Sequence, residues 1–268
     1  MIFVIGATGK VGRHVVAGLA EQDVAVTALA REPGAAGLSS SIEVVAGDLL
    51  APEGLTAHLD GAEAVFLVWP FFSAEGARDV VDVLARHARR IVYLSAEAAG
   101  RRPESFWAAV ERAIARSATE WTFLRPTGFA ANTLMWADQI RDSDVVPWPY
   151  GQAARSLIHE RDIAAVAVRA LTEDGHAGAR YVLTGPETLT QVEQVHAIGD
   201  AIGRPLRWEE LSREDAEGQI AGVPDTALDT WATFVESPEV VTSTVKDVIG
   251  DPARTFGEWA RDHAQDFR

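Results

Sequence analysis

The chain opens Met1-Ile2-Phe3-Val4-Ile5-Gly6-Ala7-Thr8-Gly9-Lys10-Val11-Gly12. The apolar run before Gly6 reads as a buried strand of a parallel sheet. Glycines at 6, 9 and 12 make a tight turn. Val11, Val15 and Leu19 then recur at helical spacing, with Val16 and Ala20 beside them. Gly6 permits the sharp turn, Gly9 lets backbone approach a bulky anion, and Gly12 lets the helix lie close to the strand. The helix start adds N–H groups and the positive end of a dipole. This is a cradle for the pyrophosphate of a dinucleotide, with G-x-x-G-x-x-G spacing in place of the commoner G-x-G-x-x-G. Gly6, Thr8, Gly9, Lys10, Val11 and Gly12 are its candidate residues.

Outward from this turn, strands and helices alternate. Apolar, β-branched runs at 24–30, 42–46, 64–69, 90–95 and 121–124 read as strands. Helical patterns fall at 74–88 and at 105–117, the second with Phe106, Val110 and Ile114 on one face. Such alternation predicts an α/β fold, a Rossmann-like doubly wound parallel sheet. After Phe129 regularity falls, and the aromatic segment 132–151 reads as cover for the sheet edge or as pocket lining. A helix at 160–171 and a strand at 180–184 return to the main sheet. From 186 a helix (190–202), a short strand (206–209), two short helical stretches and a last helix (255–267) form a small α+β lobe. The expected division is therefore an NAD(P)-binding domain over 1–185 and a C-terminal, substrate-covering lobe over 186–268.

The carboxyl ends of the strands are where ligands bind in open α/β sheets. An NAD-preferring pattern puts an acidic residue at the end of the second strand; here stand Ala30 and Arg31. A guanidinium matches a 2′-phosphate through paired, charge-assisted hydrogen bonds. NADP(H) is thus the preferred cofactor, with NAD(H) as the alternative, and Lys10 offers a second charge. Asp48, followed by Leu49, ends the third strand, where a carboxylate either accepts from an adenine amine or closes a turn. Val68, Trp69 and Pro70 end the fourth strand. Ser95 ends the fifth, and either bonds a substrate oxygen or the nicotinamide amide, or caps the next turn. It is the candidate catalytic residue. Thr127 and Asn132 are weaker polar candidates near the same edge.

Composition narrows the function. A net charge of −15 disfavours nucleic acid and anionic membranes as partners. With no cysteine there is no disulfide, thiolate metal site or cysteine nucleophile. The scattered histidines lack ligand spacing, so no metal site is expected, and Asp162 reads as a helix cap. No apolar run has the length of a membrane span, and the first apolar run is too short for a signal peptide. The expected location is cytoplasmic.

Several stretches together resemble the NmrA-like branch of the atypical short-chain dehydrogenase/reductases. They are the Gly6–Gly12 turn, Ala30-Arg31-Glu32-Pro33, Gly47-Asp48-Leu49, Phe66-Leu67-Val68-Trp69-Pro70, Trp121-Thr122-Phe123-Leu124-Arg125-Pro126, Arg161-Asp162-Ile163-Ala164 and Tyr181-Val182-Leu183-Thr184-Gly185-Pro186. The resemblance implies NADP(H) in a Rossmann-like domain. It also implies one of two roles: reduction of a quinone or carbonyl, or catalytically silent redox sensing through a protein partner.

The wider superfamily uses Tyr-x-x-x-Lys on the helix after the fifth strand. The corresponding places here hold Trp107 and Glu111. An indole does not give up its proton, and a carboxylate raises a neighbouring phenol's pKa. A ketone's alkoxide product needs a proton donor; a quinone's phenolate-like product, with a conjugate acid near pKa ~10, takes its proton from water. The expected activity is hydride transfer to a small quinone-like or conjugated, polycyclic aromatic ketone substrate, for instance as a ketoreductase of secondary metabolism. The chain is expected as a monomer or homodimer.

Overall fold

The structure, a computed structural model, describes residues 1–220 and 225–268. Contacts divide the chain into two compact units. The first holds Met1–Pro126, Glu160–Leu183 and Thr244–Asp251; the second holds Thr127–His159, Thr184–Ser243 and Pro252–Arg268.

The first unit is built on seven strands: β1 (Ile2–Ile5), β2 (Val26–Ala30), β3 (Glu43–Ala46), β4 (Ala64–Val68), β5 (Arg90–Leu94), β6 (Glu120–Pro126) and β7 (Ala179–Leu183). Their spatial order is β3-β2-β1-β4-β5-β6-β7, and every neighbouring pair is parallel. The order reverses at β1, with β2 on one side and β4 on the other. That is the topological switch point of the doubly wound Rossmann-like sheet the alternation predicts.

Strand residues alternate between two buried faces. Phe3, Ile5, Val65, Leu67, Ile91, Tyr93 and Phe123 form one core with Val80, Val81 and Leu84 of helix α2 (Ala77–His87) and with Val110 and Ile114 of α3 (Phe106–Ala115). Across the sheet, helix α1 (Gly12–Ala20) packs against α4 (Glu160–Thr172). A Cβ on Gly18 would lie 3.2 Å from Val168, which shows how close the two helices run. Asp162 lies in the first turn of α4, fully buried, as the third residue of the helix and not at the cap position expected for it. There its charge meets the positive end of the dipole.

The second unit has its own core, with Trp136, Ile140, Val146, Trp148, Val195, Ile198, Trp259 and Phe267 at its centre. The aromatic segment after Phe129, expected as cover or pocket lining, contains a strand, Val145–Pro149, parallel to Arg207–Leu211 in a two-stranded sheet. Pro147 and Pro149 obscured it, since proline is tolerated only where a strand needs no donor on one side. Helix Gln191–Ile202 and helix Phe256–Asp262 each begin with a reciprocal threonine–glutamate capping box. Where two short helical stretches were expected there are three helices, Arg213–Gln219, Asp225–Glu236 and Thr244–Ile249, the last of them part of the first unit. Residues 221–224 of that stretch lie outside the described residues.

Candidate active site

Each glycine of the first turn has a distinct steric cause. Gly6 adopts φ of +83°, and a Cβ there would meet Val68 Cβ at 2.7 Å. A Cβ on Gly12 would lie 2.0 Å from the Gly6 carbonyl oxygen, a collision with backbone that nothing relieves. Gly9 closes the turn by donating its N–H to Gly6 O at 3.0 Å. Its own missing Cβ would meet only Gly6 O, at 3.2 Å, so the outer side of the turn stays open to a ligand. Helix α1 begins beyond it with no side-chain cap, and Arg13 braces the turn by donating to Thr8 O at 2.9 Å.

At the switch point lies a cleft of about 360 Å³. It is lined by Gly6 and Thr8 of the turn, by Ala30 and Arg31 at the end of β2, by Asp48 and Leu49 after β3, and by Val68 and Pro70 at the end of β4. These are residues the sequence singles out. Ile5, Leu29, Gly47, Leu50 and Phe71 also line it and were missed as site residues, although each adjoins a residue that was not. Arg31 is exposed at the rim. Asp48 Oδ1 accepts the Leu50 N–H at 2.9 Å, so one carboxylate oxygen closes the turn while the residue still lines the cleft. The alternatives posed for it are compatible. Lys10 is exposed on the turn; Val11 is buried at the N-cap of α1.

Two expectations change. Trp69 does not face this cleft: it is 7% exposed, donates from Nε1 to Ser73 O at 2.7 Å, and belongs to the core beneath α2. Strand parity is the cause, since residue 69 falls on the same face as Val65 and Leu67. Ser95 is also buried and outside the cleft. Its hydroxyl donates to Glu111 Oε1 at 2.6 Å. Its proton is thereby committed, so in this arrangement Ser95 offers acceptor capacity only.

Glu111 is more than the vacant place of a lysine. Arg125, at the carboxyl end of β6, binds it with both prongs: Nε to Oε1 at 2.9 Å and Nη2 to Oε2 at 2.6 Å. The hydrogen bond to the carboxylate raises the guanidinium's pKa above its ordinary value against the cost of burial. Ser95 of the β5 end, Glu111 of α3 and Arg125 of β6 form one buried network. None of the three tyrosines has a lysine four residues on. Tyr93 lies sealed in the core, its hydroxyl without a hydrogen-bond partner among the described residues, and burial followed by the Glu111 charge pushes its phenol far above its ordinary pKa. Among the described residues no group of histidine, aspartate and glutamate side chains is arranged to hold a metal ion, and no helix is long and apolar enough to cross a membrane.

The cradle, the switch-point cleft and the sheet order define a dinucleotide-binding Rossmann protein. Residues 6–174 match the model of an NAD(P)H-binding family. The chain is 37% identical to the (4-alkanoyl-5-oxo-2,5-dihydrofuran-3-yl)methyl phosphate reductase of Streptomyces griseus, over 100% of this chain and 99% of that one. It is 34% identical to the NAD(P)H azoreductase of Xenophilus azovorans, again over 100% and 99%. Among solved structures, the NADPH complex of quinone oxidoreductase QOR2 from Escherichia coli superposes with a TM-score of 0.81 at 25% identity, covering 98% of this chain and 99% of that one. The chain belongs to the NAD(P)H-binding family.

Proposed function

We propose that the chain is an NAD(P)H-dependent reductase of a small quinone or conjugated aromatic acceptor, working without a tyrosine–lysine pair. The observation that carries this reading is the coexistence of an intact glycine cradle with a β5–α3–β6 edge that offers no acid. When bound, the reduced nicotinamide supplies the hydride. The turn Gly6–Gly12 would hold the pyrophosphate with its backbone N–H groups and the start of α1. Leu49 and Asp48 would flank the adenine, and Arg31 would take the 2′-phosphate, so NADP(H) is preferred. Val68 and Pro70 would border the ligand at the end of β4.

Ser95, Glu111 and Arg125 do not deliver a proton: the serine proton is engaged by Glu111, and both oxygens of that carboxylate are taken up by Arg125. General acid help is worth about 10²–10⁴-fold where a basic alkoxide forms. A quinone forgoes little of this, because its product anion is weakly basic and water protonates it. The reductases among the relatives, which the names above link to azo, quinone and furanone-type acceptors, support this choice. A cytoplasmic monomer or homodimer is the form proposed.

The test is NADPH consumption by the purified protein over a panel of quinones and fused-ring ketones. Turnover with a quinone and little with a simple aliphatic ketone is the expected result. Tight NADPH binding with no turnover across the panel would overturn it and leave the catalytically silent sensor.

A further inference from the structure

Seven of the eight tryptophans lie in or against the two cores described above; Trp107 does not. It is half-buried on the first turn of α3, one helical turn before Glu111. Residues four apart share a helix face, and Glu111 touches Ser95. Trp107 therefore stands at the carboxyl edge, on the side that faces the end of β5. Its ring lies against Phe106, with centroids 4.1 Å apart and planes tilted by 32°. Phe106 meets Phe72 edge to face at 6.2 Å and 87°. Phe72 is 94% exposed, the most exposed large apolar side chain among the described residues. It follows Phe71, which lines the dinucleotide cleft.

Three aromatic rings thus form a wall from the end of β4 to the start of α3. Exposed apolar surface of this kind is costly to display and marks a binding surface. It carries no charge to meet a phosphate, and the glycine turn already provides for those.

Building on the reductase reading, we infer that Trp107, backed by Phe106 and extended by Phe72, is the substrate-stacking wall and selects flat, fused-ring acceptors over single rings. Stacking grows with overlapping ring area, so the preference rises with ring number. Trp107 has the role of a specificity determinant and takes no part in proton transfer.

Two probes separate the contributions: anthraquinone-2-sulfonate, with three fused rings, and 1,4-benzoquinone, usable here because the chain has no cysteine to alkylate. Trp107→Ala should raise KM for the three-ring quinone about tenfold and for benzoquinone less than about twofold, with kcat and the NADPH Kd unchanged. Trp107→Phe should recover most of the loss, which excludes a folding defect. Phe72→Ser, at a solvent-exposed position, should raise the three-ring KM about threefold. Equal KM changes for both quinones, no change, or a shift in NADPH affinity instead would overturn the inference. If the wild-type protein reduces neither quinone, the reductase reading fails separately. The wall is then judged by calorimetry of anthraquinone-2-sulfonate against the NADP⁺-loaded protein: binding lost in Trp107→Ala supports it, and binding absent or unaffected overturns it.

Discussion

The two sides of the carboxyl edge are made of different material. Around β1 the site is backbone and missing atoms: three glycines, a bare helix start, a turn whose shape is its function. Around β5 the edge is side chains, with Ser95, Glu111 and Arg125 locked together and Trp107 one turn away. The first side conforms to the dinucleotide pattern and the second departs from the superfamily's. A backbone cradle tolerates almost no substitution, because the colliding atom is another stretch of backbone. A side-chain constellation is open to replacement provided the new groups satisfy one another, as the carboxylate–guanidinium pair does here.

That contrast has a steep end. Gly12→Ala forces a Cβ to within 2.0 Å of the Gly6 carbonyl. It should cost at least about 3 kcal/mol, beyond ordinary overpacking, and abolish dinucleotide binding. Urea denaturation and an NADPH titration check both. An alanine that folds and binds normally would break the distinction outright.

Next comes the network. Glu111→Ala leaves Arg125, whose side chain is 15% exposed, without its partner. The expected loss is about 3–5 kcal/mol, as for breaking a buried pair. The double change Glu111→Leu with Arg125→Met should restore most of it, because an apolar pair removes both desolvation costs. Denaturant midpoints for the two single variants and the double give the coupling. Failure of the double to recover would mean that the pair does more than satisfy itself.

The smallest effect belongs to the cleft's rim. Arg31→Ala removes one or two charged hydrogen bonds of about 1.5–3 kcal/mol. It should weaken NADPH by about 10–150-fold and leave NADH nearly unchanged, read by fluorescence titration with each. Equal weakening of both would reassign Arg31 from the 2′-phosphate.

Much of the first side was legible in the sequence. The apolar run, the glycine spacing and the following helical period are local signals, and steric demands at Gly6 and Gly12 leave one reading. Trp69 was also legible but was placed on the wrong side, since simple alternation from Val65 and Leu67 puts it beneath α2. The Ser95–Glu111–Arg125 network was not legible. Glu111 and Arg125 are brought together only by the packing of α3 on the sheet and by the pairing of β5 with β6, which register alone decides. The strand Val145–Pro149 was hidden by its two prolines, which describe an edge strand as well as a loop. The rim of rings was half visible: Trp107 stood out as a departure, but the contact of its neighbour Phe106 with Phe72 needed the β4 and α3 ends side by side.

Tyr93 gives the sheet an optical clock. Its phenol is sealed in the core with no hydrogen-bond partner among the described residues, so it ionises only when the core opens. In the unfolded chain that proton is lost near pH 10, while the folded pKa lies far above. The folded state therefore holds a proton the unfolded state releases, and stability intact below pH 10 declines as alkalinity rises. The tyrosinate absorbance of this one residue should appear together with loss of the fold and not before it. Tyr93→Phe should remove that late step and flatten the alkaline decline, measured by ultraviolet titration alongside circular dichroism.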